Sequence, residues 1–194
     1  MQTRSEETRA RLLDAAMRLF SSYGYNAASV DEICEAAGVS KGAFYHHFAS
    51  KQAIFLALFE DWLASVDSGL EAARKPTVPE TFRSMASMMP LLASQADGYL
   101  PMFLEFWLQA SRDETIWQAT IAPYQRYQDY FASLIEQGIA EGSFRPLDAL
   151  AAAKTIVSMA VGLLLQSLIA PGGTDWQKAA EESMEILMKG IAKP

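Results

Sequence analysis

The chain has very few of the residues from which catalytic, metal and disulfide sites are built. It contains one cysteine and two histidines in 194 residues. A single thiol cannot form an internal disulfide, and we expect Cys34 to be a small core residue rather than a redox sensor. The two histidines are neighbours, and adjacent residues on a helix point about 100° apart, which is unsuitable for a shared metal ion. We therefore expect no metal site and no cofactor.

Sequence motifs of common enzyme classes are also absent. The sequence has no His-Glu-x-x-His pair and no glycine-rich phosphate loop after a predicted strand. Because both histidines belong to the motif described below, a catalytic centre would have to use carboxylates alone. We expect no catalytic residues, and we predict that the chain is not an enzyme.

Long apolar stretches are scarce too, and the longest runs from residue 149 to residue 170. Lys154 interrupts it near the start and Pro171 ends it, which leaves sixteen residues between them. A membrane-spanning helix needs about 20. A helix that is apolar on most sides is more often buried in a bundle and at a subunit interface. The charged N-terminus has no apolar segment typical of a signal peptide, and we expect a cytoplasmic protein without a membrane partner.

Negative charge is unevenly distributed along the chain. Residues 1–51 hold six basic and six acidic side chains, so the net charge of −7 falls entirely in residues 52–194. Residues 40–51 contain no acidic side chain at all. A uniformly acidic surface would repel DNA, but this distribution leaves the N-terminal part compatible with a nucleic-acid partner.

The most informative segment of the chain is SVDEICEAAGVSKGAFYHHFASK, residues 29–51. Ser29 and Glu32 have the spacing of a capping box, in which each side chain satisfies a free amide at a helix start. Gly38 suits the left-handed conformation that ends many helices, and Ser40 can cap a second helix almost at once. Two short helices joined in this way indicate a helix-turn-helix, whose second helix enters the DNA major groove.

This segment resembles the signature of TetR-family transcriptional regulators. The resemblance lies in GVSKGAFYHHF at 38–48, followed by Ser50 and Lys51, and is supported by LLDAAMRLF at 12–20 and Tyr-Gly-Tyr at 23–25. It implies an all-α protein with a three-helix DNA-binding domain at residues 1–50. Residues 51–194 would form a helical domain for ligand binding and dimerisation.

The resemblance also implies a set of DNA contacts. Lysines, hydroxyl groups and helix N-termini suit phosphates, whereas the small side chains of Gly42 and Ala43 allow close approach to the groove. Ala43 can also touch a thymine methyl group. The alternative for the histidines is that they are surface residues or that one packs in the core. The predicted DNA contacts are Ser29, Ser40, Lys41, Gly42, Ala43, Tyr45, His46, His47 and Lys51.

Hydrophobic periodicity predicts about nine helices and no strands. We expect Pro123 to kink or split the long helix in which it lies. Outside the motif, the helices are expected over residues 5–23, 50–73, 82–92, 99–111, 114–141, 149–170 and 175–191.

Aromatic and methionine side chains are concentrated between residues 82 and 131. Most should pack in a helical core, but tryptophan, tyrosine and methionine also suit an adaptable apolar cavity. The TetR resemblance implies an inducer pocket between the fifth and eighth helices. We expect Glu105 at an exposed or interhelical edge, with a counter-ion for a cationic ligand as the alternative. The predicted lining residues are Met85, Met89, Met102, Phe103, Phe106, Trp107, Trp117, Tyr124, Tyr127 and Met159.

These features together predict a homodimeric repressor that a small, mostly apolar ligand releases from a near-palindromic DNA operator. The last two helices are too apolar for a solvated surface and are expected to form the dimer interface. An activator or a ligand-independent regulator is the alternative among DNA-binding proteins. Outside that class, the alternative is a small-molecule-binding helical bundle whose helix-turn-helix is vestigial or contacts protein.

Overall fold

The structure is a computed structural model that describes residues 2–88, 104, 114–170 and 174–193. Its helices are α1 (Gln2–Tyr23), α2 (Val30–Ala37), α3 (Lys41–His47), α4 (Lys51–Ala72), α5 (Val78–Ser87), α6 (Glu114–Ala140), α7 (Ala149–Ile169) and α8 (Trp176–Ile191). The described part of the chain contains no β-strand, only one antiparallel bridge between Phe144 and Ala192. The predicted all-α fold is confirmed. The predicted helix over 99–111, apart from Leu104, and the end of the helix over 82–92 lie outside the described residues.

Capping side chains explain where several helices begin. Thr77, Asp148 and Asp175 precede α5, α7 and α8, and each accepts a hydrogen bond from the backbone N–H three residues later. Such bonds satisfy amides that have no partner within the helix. The long helix α6 continues through Pro123, so the predicted split does not occur.

Two compact units share the chain, and they divide between Ser65 and Val66 inside α4. The N-terminal unit is built around the rings of Phe20, Tyr25 and Phe55, whose centroids lie 5.2 to 6.1 Å apart. Ring pairs at this spacing add packing energy beyond the area that they bury. The core therefore joins α1, the loop after it and the start of α4. The functional boundary at residue 50 stays a prediction.

The C-terminal unit has its own core, in which Phe82 of α5 packs against Phe131 of α6 and Phe144 of the following loop. Gly138 is required for this arrangement, because a Cβ atom there would lie 2.3 Å from the Phe144 ring. Further buried members come from α6, α7 and α8, and they include Leu134, Ile135, Ile156, Val157, Met184, Met188 and Ile191.

Helix α7 keeps an apolar side facing outward. Leu150, Val161 and Ile169 are 43%, 39% and 83% exposed. Among the described helices, it is the one long and apolar enough to cross a membrane, over Ala149–Ser167, and 22% of that stretch is buried. Length and composition alone are weak evidence for a membrane span, because helices at apolar protein interfaces have the same properties.

Candidate nucleic-acid interface

The start of α2 and the turn between α2 and α3 are fixed by local hydrogen bonds that the sequence predicted. The Ser29 Oγ accepts the N–H of Glu32 at 3.2 Å, and the Glu32 carboxylate accepts the N–H of Ser29 at 2.7 Å. Gly38 ends α2 with φ at 63°, and Ser40 Oγ accepts the N–H of Ala43 at 3.2 Å. The predicted capping box, the left-handed glycine and the second cap are therefore all confirmed.

The inner side of the motif is apolar and dry. Ile33 and Phe44 are fully buried, and Ala37 and Phe48 are nearly so. Cys34 is buried beside them, which confirms it as a core residue, and burial raises the pKa of its thiol. Packing of this kind fixes the angle at which α3 presents its outer side.

The outer side of α3 carries four of the predicted DNA contacts. Lys41, Gly42, Tyr45 and His46 are exposed and recur at the spacing of one helix face, and we call these four residues the reading surface. Tyr45 is 56% exposed, and its ring stands edge-on against Phe44 at 5.3 Å. The surface therefore projects polar groups from a rigid base.

Ala43 and His47 are half-buried and lie beside the reading surface rather than on it. The His47 and His46 rings meet edge to face at 5.1 Å. Partial burial, followed by the charges of His46 and Arg9, lowers the pKa of His47. The lowered pKa favours the neutral imidazole at His47.

Gly42 has no internal packing reason to be glycine. A Cβ atom built there would meet only Ser40 Oγ, at an ordinary contact distance of 3.8 Å. Glycine near the start of a helix destabilises it relative to alanine, because it has more backbone freedom to lose. Glycine at this position leaves the outer side of α3 open, with no side chain in front of the backbone.

Lys41 is paired within the protein. Its Nζ lies 2.6 Å from Oδ1 of Asp31 on α2, and both side chains are mostly exposed. The hydrogen bond that Lys41 donates to Asp31, together with the Asp31 charge, raises the pKa of Lys41. The sequence did not predict this pair, because it joins two helices across the turn.

Lys51 has partners inside the protein that the sequence did not predict. Its Nζ donates to the backbone carbonyls of Tyr25, Asn26 and Ala28 at 2.8, 3.3 and 2.8 Å, and it lies 4.6 Å from the Tyr25 ring centroid. An ammonium group has three N–H donors, and these carbonyls use them all. Lys51 therefore ties the α1–α2 loop to the start of α4, and a phosphate would have to compete with three carbonyls.

Ser29 is also engaged internally. Its hydroxyl donates to the Glu32 carboxylate at 2.7 Å while accepting the backbone bond described above. The two bonds from Ser29 lower the pKa of Glu32. A DNA phosphate would therefore meet a hydroxyl whose proton already has a partner.

Five of the ten predicted ligand-lining residues are described, all in the C-terminal unit. Met85 is buried in the core, and Tyr124, Tyr127 and Met159 are partly buried against the same core. Trp117 is half-buried on α6. Glu105 lies outside the described part of the chain. So do the remaining predicted lining residues: Met89, Met102, Phe103, Phe106 and Trp107.

A polar cluster that the sequence did not predict lies beside these residues. The Tyr127 hydroxyl donates to Oδ1 of Asp67 on α4 at 2.9 Å, and Arg126 pairs with Oδ2 of Asp67 at 2.9 Å. Burial, then the Asp67 hydrogen bond, raises the pKa of Tyr127. Tyr127 therefore keeps its proton and donates it to Asp67, which places a polar pair beside the apolar core.

Metal-ligating side chains are not clustered in the described residues, where no group of three or more His, Cys, Asp or Glu could hold an ion.

Two models of known protein families match the chain. The model for bacterial regulatory proteins of the TetR family matches residues 12–58. A model for the C-terminal part of BetI-type transcriptional repressors matches residues 83–191, more than half of the chain. The chain belongs to the TetR family of transcriptional regulators. This class of proteins binds DNA through the helix-turn-helix and is not an enzyme class.

Curated TetR-type relatives match between half of the chain and its full length. The A-factor receptor protein of Streptomyces griseus is 28% identical over 195 residues, which cover 100% of this chain and 67% of that protein. The regulator UidR of Escherichia coli is 25% identical over 166 residues, 84% of this chain and 83% of UidR. The activator FasR of Mycolicibacterium smegmatis is 35% identical over 101 residues, 50% of this chain and 46% of FasR.

Solved structures share the fold. A transcriptional regulator from Saccharomonospora viridis in complex with choline has a TM-score of 0.81 and 22% identity, covering 97% of this chain and 100% of that one. A TetR-family regulator from Streptomyces coelicolor has a TM-score of 0.79 and 21% identity, with 97% of each chain covered. At these identities the likeness shows the fold alone.

Proposed function

We propose that this TetR-family member is a cytoplasmic, homodimeric repressor that leaves a near-palindromic operator when a small ligand binds. The reading surface supports DNA binding most directly, because α3 exposes polar groups, carries no acid and rests on a buried apolar base. A second helix of a helix-turn-helix with these properties fits the major groove. Ser29, Ser40, Ala43 and His47 flank this surface as further contacts.

In this proposal, Lys51 supports the helix-turn-helix indirectly. Its three carbonyl contacts hold the α1–α2 loop, which precedes Ser29 and α2. Indirect support of this kind replaces the direct phosphate contact that the sequence pattern indicated.

Dimerisation is proposed through α7 and α8. Val161 on α7 and Ile186 on α8 are 39% and 73% exposed, although both are large and apolar. Burial of such side chains in a two-fold interface stabilises association, because apolar surface leaves water. Two-fold symmetry then presents two reading surfaces to successive turns of DNA, which fits a near-palindromic site.

The inducer is proposed to bind in the C-terminal unit and to be mostly apolar. Met85 and Met159, with the rings of Tyr124 and Tyr127, border one apolar core. The Tyr127 hydroxyl and the Asp67 carboxylate supply polar groups at its edge. The regulator solved with choline gives a reason to test quaternary ammonium compounds as well, because tyrosine faces attract such cations.

Selection of bound sequences from random double-stranded DNA tests the proposal. We expect enrichment of a near-palindrome with half-sites about one helical turn apart. Anisotropy titration of the selected site, repeated with apolar neutral compounds and with choline, then identifies ligands that release DNA. Failure to enrich any sequence would remove the regulator proposal and favour a helical bundle that binds small molecules only.

Two exposed tyrosines provide a matched control for the reading surface. Tyr45→Ala should weaken binding to the selected site by about 1–3 kcal/mol, the range for a lost base contact, and should affect unrelated DNA less. Tyr23 is 69% exposed at the end of α1, and Tyr23→Ala should leave binding unchanged. Equal effects of the two substitutions would contradict the assignment of α3 as the reading helix.

A further inference from the structure

An ion pair at the reading surface joins a cation suited to DNA with an anion that repels DNA. Lys41 is the first residue of α3, and Asp31 is the second residue of α2. Their charged atoms lie 2.6 Å apart, and the two side chains are 60% and 65% exposed. The pair therefore lies at the outer edge of the motif, where a phosphate backbone would pass if the proposed function holds.

Asp31 differs from the other acids of α2 in having Lys41 as its partner. Glu32 is occupied by the Ser29 amide and hydroxyl in the capping box. Glu35 lies one turn further along the same helix and is exposed. Only a carboxylate at position 31 meets the ammonium of Lys41 across the turn, so the three acids of α2 can be distinguished experimentally.

We propose that Asp31 holds Lys41 in the free protein and so limits the affinity of the reading surface for DNA of any sequence. A phosphate that binds Lys41 has to displace the Asp31 carboxylate or share the ammonium with it. An exposed ion pair is weak, so it opens without a large barrier to binding. The Asp31 carboxylate nevertheless stays close to the incoming phosphate, and the like charges repel each other.

Such a restraint acts on non-specific binding and leaves base recognition to other groups. Phosphate contacts carry no sequence information, whereas base-edge contacts do. Removal of the Asp31 charge should therefore strengthen binding to the selected site and to unrelated DNA by the same factor. Asp31 thereby sets how much of the protein is held on unrelated DNA, and it is a positioning residue rather than a DNA contact.

Asp31→Asn is the direct test, measured by anisotropy on the selected site and on an unrelated duplex over a range of salt concentrations. We expect affinity for both DNAs to rise about tenfold in a dimer, which carries two such pairs. Two freed lysines should also steepen the slope of log K against log salt by up to about 1.8. Glu35→Gln removes an equal charge from the same helix and should have a clearly smaller effect.

Lys41→Met provides the second arm. In this background, the ammonium that Asp31 restrains is absent, so Asp31→Asn should gain much less than tenfold, and the salt slope should not change. Equal gains with and without Lys41, or equal gains from Asp31→Asn and Glu35→Gln, would overturn the inference in favour of general charge repulsion. An Asp31→Asn protein that binds the selected site with unchanged affinity would overturn it while the proposed function stands. If the wild-type protein binds no DNA, the proposed function fails and the inference fails with it.

Discussion

The outer surfaces of the two units differ in the partner for which they are suited. On the N-terminal unit, α3 exposes polar and charged groups, and several of these already have partners inside the protein, as Lys41 has Asp31. On the C-terminal unit, α7 and α8 expose large apolar side chains such as Val161, Ile169 and Ile186. The first surface can exchange internal partners for external ones, whereas the second gains stability only when apolar area leaves water.

This contrast has consequences for reversibility. Exchange of one polar partner for another has a small net free energy and depends on salt, as regulated DNA binding requires. Burial of an apolar face depends little on salt and provides lasting association. A regulator that leaves DNA but remains a dimer needs both kinds of surface on one chain.

The largest effect is expected from charges on the apolar face. Val161→Glu combined with Ile186→Glu should convert the dimer into monomers, because buried unpaired carboxylates are strongly unfavourable. Operator affinity should fall by about 100-fold or more, since the two half-sites no longer bind through one linked molecule. Analytical ultracentrifugation and anisotropy measure the two quantities.

Ser133→Glu combined with Gln177→Glu adds the same charges at exposed polar positions of α6 and α8 and is the control. This variant should sediment as the wild type does and should bind DNA with comparable affinity. A wild-type protein that is monomeric at micromolar concentration would contradict the comparison between the two surfaces.

Local features of the motif were predictable from sequence, and contacts across the fold were not. The capping box at Ser29 and the turn at Gly38 depend on residues within one helical turn, and both appear as predicted. Tyr23 continues the helical spacing of the buried residues Ala16 and Phe20 but is 69% exposed, because the chain turns at Gly24 and buries Tyr25 instead. The periodicity of one helix does not predict the path of the following loop, and that path decides which tyrosine is buried.

Long-range polar contacts explain the remaining differences at the candidate sites. The Lys51 ammonium meets carbonyls 23 to 26 residues earlier, and Tyr127 meets Asp67 across 60 residues. Each contact depends on the packing of separate helices, and a single sequence has no period that encodes it. The sequence pattern therefore did not predict the internal carbonyl partners of Lys51, and the DNA contact at Lys51 stays a prediction.

An intermediate effect is expected from substitution of Lys51. The substitution distinguishes structural support by Lys51 from a DNA contact. Lys51→Met removes three hydrogen bonds from a charged donor, and the free energy of unfolding should fall by about 2 kcal/mol. The salt dependence of DNA binding should change little, because the ammonium is occupied by carbonyls. Lys75→Met, at an exposed lysine between α4 and α5, is the stability control. Unchanged stability with a slope flatter by about 1.8 would instead identify Lys51 as a phosphate contact in each subunit.

The smallest change in stability is expected at Gly42. At this position, the stability of α3 favours alanine, whereas the proposed close approach to DNA favours glycine. Gly42→Ala should raise the free energy of unfolding by about 0.5 kcal/mol, because alanine loses less backbone entropy in a helix and its Cβ meets no close neighbour. DNA affinity should fall, since the added methyl group projects from the reading surface toward the groove. Gly190→Ala on α8, where a Cβ meets nothing within 4 Å, should stabilise the fold without weakening DNA binding. Chemical denaturation and anisotropy distinguish these outcomes, and a Gly42→Ala protein with undiminished DNA affinity would show that α3 does not approach the groove closely at this position.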